Sequence, residues 1–278
     1  MTTSTLTFSQ RFAAASQRNN SLLCVGLDPD PARTPAGLST REFLFGVVEA
    51  TADLVACYKP NIAFFEQEGA DGIALLRELI AVIPGDIPVL LDAKRGDIGH
   101  TSEAYARAVF DILGAHAVTL SPYLGRDALD PFLRREDRHA FVLCRTSNPG
   151  AGDLQDLPVG EHGEPLYLHV ARLAKEWNER GNVGLVVGAT YPEEARRIRQ
   201  ACPGMLFLLP GVGAQQGAVD DAVQAAVDAD GGGILVNASR AVLYAEAGDP
   251  GCAPGGWAEA SREAARHLRD QVNDARSG

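Results

Sequence analysis

One stretch of the chain decides its fold: Leu91-Asp92-Ala93-Lys94-Arg95-Gly96-Asp97-Ile98-Gly99-His100. It ends an apolar run, which predicts the place where a buried strand meets solvent. In a strand, the side chains of Asp92 and Lys94 share one face. Charges of alternating sign packed this closely cost desolvation energy unless they pair with each other or with a substrate. The stretch therefore indicates a catalytic site at a strand end.

A helix is predicted directly after this strand, over residues 101–113. Its apolar residues, among them Val109 and Leu113, recur with the 3.6-residue period of one helix face. Thr101 or Ser102 is the expected N-cap, because a hydroxyl at that position can accept a backbone N–H.

The same alternation of a short apolar run and a longer helical pattern continues along the chain. Nearly continuous apolar runs are typical of parallel strands that are covered on both faces. Eight runs are predicted as strands: 22–27, 54–58, 89–94, 117–121, 141–144, 184–187, 206–209 and 233–237. Further helices are predicted over 166–180 and 258–272.

Eight strands with intervening helices predict an α/β protein, a (β/α)8 TIM barrel with its active site at the C-terminal ends of the strands. An open doubly wound sheet is the alternative, but such sheets more often stop near about six strands. Polar residues or glycine stand at or just past the C-terminal ends of most runs, as a barrel mouth requires: Asp28, Lys59, Asp92, Ser147, Thr190, Gly211 and Arg240. We expect one domain over 1–278, with an N-terminal helical extension at about 1–20, an irregular lid-like loop at about 148–165 and a C-terminal helix at about 258–275.

The composition excludes several classes of protein. A net charge of −11 argues against nucleic acid or an anionic membrane as the main partner, since both select basic surfaces. The chain has five cysteines and no CxxC pair, so no disulfide framework is expected and a reducing compartment is indicated. The first residues lack the apolar stretch of a signal peptide, and no segment has the roughly 18 uninterrupted apolar residues of a membrane span. These features predict a cytoplasmic protein.

Two further charged residues are expected near Asp92 and Lys94. Lys59 ends a different predicted strand and would enter the same barrel mouth, while Asp97 follows on the next turn of the chain. A structural salt bridge at a barrel mouth needs only one pair of charges. An alternating array of Lys, Asp, Lys and Asp therefore indicates catalysis.

Glycines follow the seventh predicted strand, and an arginine follows the eighth, where TIM barrels usually bind phosphate. The first segment runs from Leu209 to Gly217 and contains Pro210-Gly211-Val212-Gly213. The second runs from Gly231 to Arg240 and ends in Asn237-Ala238-Ser239-Arg240. Glycine lets backbone N–H groups approach phosphate oxygens, and arginine offers a bidentate fork. The two segments predict a phosphate site.

Six motifs of the chain together carry a resemblance. They are Val25-Gly26-Leu27-Asp28-Pro29, Lys59-Pro60-Asn61, Asp92-Ala93-Lys94-Arg95-Gly96-Asp97-Ile98, Thr146-Ser147-Asn148-Pro149, Pro210-Gly211-Val212-Gly213-Ala214-Gln215 and Asn237-Ala238-Ser239-Arg240. In this order they resemble the orotidine 5′-phosphate decarboxylase family, specifically its longer bacterial members. The resemblance implies a homodimeric TIM barrel that converts orotidine 5′-monophosphate to UMP and CO₂ with no metal and no cofactor. This reaction is the last step of de novo pyrimidine nucleotide synthesis.

The resemblance also assigns roles to single residues. The catalytic tetrad of the family corresponds to Lys59, Asp92, Lys94 and Asp97. Residues expected to reach into the site of the other subunit, so that each site is composite, are Asp97, Ile98 and Thr101.

The remaining assignments concern the parts of the nucleotide. Asp28 and Lys59 are expected to hold ribose hydroxyls, Ser147 to contact the pyrimidine ring, and Gln215 with Arg240 to bind the phosphate. The chain departs from the family at Gln216, where a second glycine is frequent, and at Asn237-Ala238-Ser239-Arg240, which replaces the Gly-Arg of shorter relatives.

Three other functions fit parts of the same pattern. A related barrel lyase uses Asp-x-Lys-x-x-Asp with Mg²⁺ to stabilise an enediolate, and such an enzyme loses activity in a chelator. A Schiff-base aldolase would use Lys94 or Lys59 as nucleophile, but it needs a neutral amine, and flanking carboxylates favour the charged form. A catalytically silent barrel would bind nucleotides without turnover, although binding alone does not require four buried charges.

Overall fold

Eight parallel strands form one sheet in the structure, a computed structural model that describes residues 6–211, 216–245 and 256–278. The strands are β1 (Leu23–Gly26), β2 (Cys57–Lys59), β3 (Leu90–Arg95), β4 (Ala117–Leu120), β5 (His139–Arg145), β6 (Val183–Val187), β7 (Phe207–Pro210) and β8 (Ile234–Ala238). Each overlaps one of the eight predicted runs, so all eight predictions are confirmed. A separate antiparallel hairpin pairs Pro158–Val159 with Glu164–Pro165 outside the barrel.

The sheet closes on itself. Hydrogen-bonded neighbours follow the order β2–β1–β8–β7–β6–β5–β4–β3. The two ends of this order meet through bridges between Tyr58 and Val89 and between Asn61 and Asp92, and the N–H of Tyr58 donates to the carbonyl of Pro88 at 3.1 Å. An open sheet leaves two unpaired edges, whereas a barrel leaves none. The TIM-barrel prediction is confirmed, and the open-sheet alternative is wrong.

Helices surround the barrel. They are α1 (Phe8–Asn19), α2 (Thr40–Thr51), α3 (Ala63–Glu66), α4 (Gly69–Val82), α5 (Gly99–Arg107), α6 (Arg126–Leu133), α7 (Leu166–Trp177), α8 (Pro192–Ala201), α9 (Gln216–Ala226), α10 (Arg240–Leu243) and α11 (Trp257–Ser277). The helices predicted over 166–180 and 258–272 correspond to α7 and α11, and α11 packs against α2 and α9. Within the described ranges, no helix combines the length and the apolar character needed to cross a membrane.

The strands are buried on both faces. Every residue of β1, β2, β4, β6 and β8 is buried. Helices cover the outward side chains and the inward side chains fill the barrel, which explains why the strands are continuous apolar runs in the sequence. Lys59, the last residue of β2, is also buried, at 3% exposed. This buried charge marks the end of the barrel that holds the charged site.

The helix after β3 begins earlier than predicted. It starts at Gly99, whose φ of +52° turns the chain, and its N-cap is Ile98, which provides no side-chain cap. The prediction of Thr101 or Ser102 as the N-cap is therefore wrong. Ser102 lies buried inside the helix and donates its hydroxyl to the carbonyl of Ala128 on α6. A contact between helices uses this hydroxyl instead of a cap.

The loop over 148–165 has structure of its own. It contains a 3₁₀ turn at Pro149–Asp153 in addition to the hairpin. Arg145, at the end of β5, forms an ion pair with Asp156 of the loop at 3.1 Å. This contact anchors the loop to the barrel mouth, and its closure as a lid stays a prediction.

A buried histidine at the N-terminal end of β5 predicts a loss of stability in acid. His139 packs against the rings of Phe8 and Phe141, and neither ring nitrogen has a hydrogen-bond partner among the described residues. Burial disfavours the imidazolium and lowers the pKa of His139 to about 3. The unfolded chain takes up this proton near pH 6.5, so between about pH 6.5 and 3 the unfolded state binds more protons than the folded state. The free energy of unfolding therefore falls as the pH falls through this window.

We expect His139 alone to lower the free energy of unfolding by about 2 kcal/mol between pH 6.5 and pH 5. His139→Phe removes the titrating group and should remove this part of the pH dependence, which urea unfolding at the two pH values measures. His162→Phe, at an exposed position of the 148–165 loop, is the matched control. An unchanged pH dependence in H139F would contradict this assignment.

Candidate active site

The C-terminal ends of β1, β2 and β3 bring four predicted site residues together. Lys59 Nζ lies 3.4 Å from Asp92 Oδ2, and Lys94 Nζ lies 2.6 Å from Asp92 Oδ1. Asp28, just after β1, accepts the backbone N–H of Asn61 at 3.1 Å, and its carboxylate acts electrostatically on Lys59. We call Asp28, Lys59, Asp92 and Lys94 the charged cluster.

Lys59 is a buried cation. Its side chain is 4% exposed, and burial by itself lowers the pKa of an ammonium group. The carboxylates of Asp28 and Asp92 outweigh burial and raise the pKa of Lys59 above its usual value. Lys59 is therefore a fixed positive charge at neutral pH.

Asp92 accepts hydrogen bonds on both carboxylate oxygens. Burial by itself raises the pKa of this carboxyl group, but the charges of Lys59 and Lys94 and hydrogen bonds from Lys94 and Thr119 lower it below its usual value. Thr119 Oγ1 donates to Oδ1 at 2.8 Å, beside Lys94 Nζ on the same oxygen. Asp92 is thus ionised at neutral pH and ties the two lysines together.

Lys94 reaches Asp92 through an irregular strand. After Leu91 the register between β3 and β4 shifts. Leu91 pairs with Val118 and Arg95 with Leu120, so four residues of β3 advance along two residues of β4. Lys94 has a φ of +46°, in the left-handed region, which costs a residue other than glycine about 1–3 kcal/mol. The predicted proximity of Asp92 and Lys94 is confirmed, but a bulge aims the lysine, whereas we expected regular strand alternation.

Asp97, Ile98 and Thr101 stand outside the charged cluster in the single chain. Asp97 accepts the neighbouring N–H of Ile98 at 2.7 Å and forms no ion pair with any described residue. Ile98 is 63% exposed, and Thr101 lies in the first turn of α5. Their contribution to the site of a second subunit stays a prediction.

A cavity of about 680 Å³ shares Asp28 with the charged cluster. Arg240, predicted on the phosphate, lines this cavity at the start of α10, and Arg33 lines it from the loop after β1. The guanidinium of Arg33 lies over the ring of Tyr244, 4.2 Å from its centroid. Two arginines at one cavity suit an anionic group such as a phosphate.

Ser147 lies close to the same cavity. A Cβ atom added to Gly211, which lines the cavity, would lie 3.3 Å from Ser147 Oγ. At the end of β6, a Cβ atom on Gly188 would lie 2.8 Å from the backbone nitrogen of Ser147, so glycine permits this close packing. Gln215 lies outside the described residues, and nothing is described of the side chain of Gln216.

The donor set of the cluster does not resemble a metal site. No group of three or more His, Cys, Asp or Glu side chains that could hold a metal ion occurs in the described ranges. Both oxygens of Asp92 already face ammonium groups, whereas Mg²⁺ binds free carboxylate or carbonyl oxygens. The arrangement suits an anionic organic ligand.

Four residues of the site were not among those predicted. The side-chain amide of Asn61 lies 3.5 Å from Asp92 Oδ2. The motif Lys59-Pro60-Asn61 could have indicated this residue from the sequence. Thr119 is hidden inside an apolar run, and Arg33 and Tyr244 are far apart in the chain. Only the folded barrel brings these last three to the site.

Comparisons with known proteins agree on one family. The family model described as Orotidine 5'-phosphate decarboxylase / HUMPS family matches residues 21–252. The chain is 55% identical over 278 residues to an orotidine 5'-phosphate decarboxylase of Roseiflexus castenholzii, which covers 97% of this chain and 98% of that protein. It is 52% identical over 277 residues to an orotidine 5'-phosphate decarboxylase of Thermomicrobium roseum, and the match covers 98% of this chain and 96% of that protein.

A solved structure is similar over the same length. The structure of Leishmania donovani OMP decarboxylase matches with a TM-score of 0.85 at 42% identity, covering 98% of this chain and 100% of that chain. The family predicted from the motifs is confirmed. This chain belongs to the orotidine 5′-phosphate decarboxylase / HUMPS family.

Proposed function

We propose that the protein decarboxylates orotidine 5′-monophosphate to UMP and CO₂ without a metal or an organic cofactor. This is the last step of de novo pyrimidine nucleotide synthesis. The observation that carries the proposal is the ion-paired run of Lys59, Asp92 and Lys94, beside a cavity that Arg33 and Arg240 line. The family and the names of the relatives support the same activity.

The reaction needs a site that stabilises negative charge on carbon. When the bond between C6 and the carboxylate breaks, its electron pair stays on C6 as an sp² carbanion with little resonance stabilisation. A preorganised cation lowers the energy of this state, because it needs no reorganisation during the reaction. We assign this role to the ammonium group of Lys94, which then transfers a proton from Nζ to C6 and completes UMP.

The neighbouring charges hold the ammonium group of Lys94 in place. Asp92 holds Lys94 Nζ at 2.6 Å, and Lys59 holds the other oxygen of Asp92. The raised pKa of Lys59 also disfavours a Schiff-base mechanism at that residue, because the nucleophile of such a reaction is a neutral amine.

The rest of the nucleotide is assigned to the surroundings of the cluster. We place the ribose hydroxyls at Asp28 and Lys59, the pyrimidine ring at Ser147, and the phosphate at Arg240 with Gln215. The cavity supports this arrangement, since it joins Asp28 to Arg240. The phosphate is remote from the reacting bond, so its binding energy is available to drive closure around the substrate.

The assembly that we propose is a homodimer with two composite sites. Exposed apolar side chains lie on the loops after β3 and β4: Ile98 at 63%, Tyr123 at 82% and Leu124 at 48%. Such a surface next to a charged site is typical of a subunit interface. Asp97 and Thr101 flank Ile98, so a second copy seated on this surface would bring its own Asp97 to the charged cluster.

We assign the protein to the cytoplasm, with no nucleic acid and no membrane as partner. The net charge of −11 argues against nucleic acid and anionic membranes as partners. The cytoplasm, a reducing compartment, suits the cysteines of the described ranges, since Cys24, Cys57, Cys144 and Cys202 are all free and buried.

The proposed reaction is tested by following the absorbance of orotidine 5′-monophosphate with and without EDTA. We expect the absorbance to fall at the same rate in both samples, because no step uses a metal. Activity that disappears in EDTA would instead show that the decarboxylation depends on a metal ion, and it would contradict the metal-free mechanism. Tight binding of UMP with no turnover of the orotate nucleotide would indicate the silent barrel.

A further inference from the structure

We propose that Thr119 is a positioning residue, which aims Lys94 and orients Asp92 for the proposed decarboxylation, on which this inference rests. Thr119 lies in β4, next to the irregular part of β3. It is 1% exposed, so no solvent competes for its hydroxyl.

The hydroxyl of Thr119 forms all of its hydrogen bonds with β3. Its oxygen accepts the backbone N–H groups of Ala93 and Lys94, each at 2.9 Å. Its proton is donated to Asp92 Oδ1 at 2.8 Å. A hydroxyl has one donor and two acceptor positions, so none is left over. One side chain thus ties three consecutive residues of β3, including both charged ones.

The bulge in β3 makes this hydroxyl necessary. Between Leu91 and Arg95 the regular pairing with β4 is interrupted, and the N–H groups of Ala93 and Lys94 donate to a side chain. A buried backbone N–H group without an acceptor costs free energy. The N–H groups that lose their regular partner on β4 therefore need another acceptor. Threonine provides that acceptor from within an apolar strand, because its methyl group still packs like valine.

The same hydroxyl holds the left-handed backbone of Lys94. In the described ranges the other non-glycine residue with a positive φ is Asn20, which is the C-cap of α1. A left-handed residue other than glycine persists only where its surroundings hold it. Thr119 fixes the backbone end of Lys94, and Asp92, itself oriented by Thr119, fixes Nζ at 2.6 Å. The lysine is therefore positioned at both ends through one hydroxyl.

Two variants separate positioning from folding. Thr119→Val keeps the shape of the side chain and removes the hydroxyl, whereas Thr119→Ser keeps the hydroxyl. We expect kcat for orotidine 5′-monophosphate to fall about 10- to 100-fold in T119V, with KM and UMP affinity within about threefold of wild type. T119S should retain at least about a third of the wild-type kcat.

The pH profile provides a second readout that folding alone does not move. The Thr119 hydrogen bond is one of the interactions that lower the pKa of Asp92. Its loss in T119V raises that pKa, so the acid limb of kcat/KM should move to higher pH. The acid limb of T119S should stay at its wild-type position.

The matched control is Thr51→Val on α2. Thr51 is also fully buried, and its hydroxyl lies 2.7 Å from the carbonyl of Val47 and 2.7 Å from the hydroxyl of Tyr58. T51V should lower the thermal midpoint without changing kcat or the pH profile. If T119V does not give a folded protein by circular dichroism, Thr119→Ala, which lacks the hydroxyl and is smaller, carries the same expectations.

The results that overturn the assignment are distinct from those that overturn the function. A folded T119V or T119A with the wild-type kcat and acid limb would overturn the positioning role. A fall in kcat in T51V as large as the fall in T119V would also overturn it. A wild-type protein that does not decarboxylate orotidine 5′-monophosphate would instead overturn the proposed function.

Discussion

Lys94→Ala is expected to lower kcat for orotidine 5′-monophosphate by at least about 10⁴-fold, while UMP affinity changes by less than about tenfold. The substitution removes a preorganised charge, worth about 10²- to 10³-fold, and a general acid, worth about 10²- to 10⁴-fold. Asp92 keeps Lys59 as a partner in the variant, because the two lysines occupy different carboxylate oxygens. Single-turnover decarboxylation and a UMP titration measure the two quantities.

Lys175→Ala is the control that the chain itself offers. The sequence contains three lysines, Lys59, Lys94 and Lys175. Lys175 lies on α7 and donates to the carbonyl of Ala201 at 3.0 Å, outside the charged cluster. K175A should keep the wild-type kcat. If K94A kept more than about a tenth of kcat with unchanged UMP binding, Lys94 would not be the proton donor.

A mixture of K94A and D97A subunits is expected to regain about one quarter of the wild-type activity, although each variant alone is nearly inactive. In a composite site, Lys94 comes from one subunit and Asp97 from the other. A mixed dimer then has one site with both substitutions and one site with neither. At equal concentrations about half of the dimers are mixed, and half of their sites are intact. The decarboxylation rate after co-refolding measures the recovery.

The recovery depends on Asp97 acting across the interface. In its own chain Asp97 accepts the N–H of Ile98 and has no ion-pair partner among the described residues. If Asp97 served the site of its own chain, every site of a mixed dimer would carry one defect and no activity would return. Mixing K94A with K59A is the negative control, because both lysines belong to the same cluster and no intact site can form.

The strands of the barrel could be predicted because burial on both faces leaves a local signature. The boundary errors show what that signature measures. The second strand was predicted over 54–58 but spans Cys57–Lys59. Leu54 and Val55 are 3% and 0% exposed, yet they precede the strand. Apolar character reports burial, whereas a strand also requires hydrogen bonds to its neighbours.

The charged cluster was predictable for a similar local reason. Asp92 and Lys94 are two residues apart, and Lys59 stands at the end of its own apolar run, so all three follow from strand ends that share one mouth. Thr119 had no such signal, because a threonine within a strand is common and its hydroxyl has no sequence neighbour among its partners. The stacking of Arg33 on Tyr244 joins residues from opposite ends of the chain.

The sequence by itself determined which segments are buried and which charged residues stand where those segments end, because period and composition are properties of neighbouring residues. The tertiary structure decided how the charges pair. The 3.4 Å contact between Lys59 and Asp92 depends on the seam where β2 meets β3, and the left-handed backbone of Lys94 depends on Thr119 of the next strand. Ion pairs and hydrogen bonds act through space, and those distances exist only once the barrel has closed.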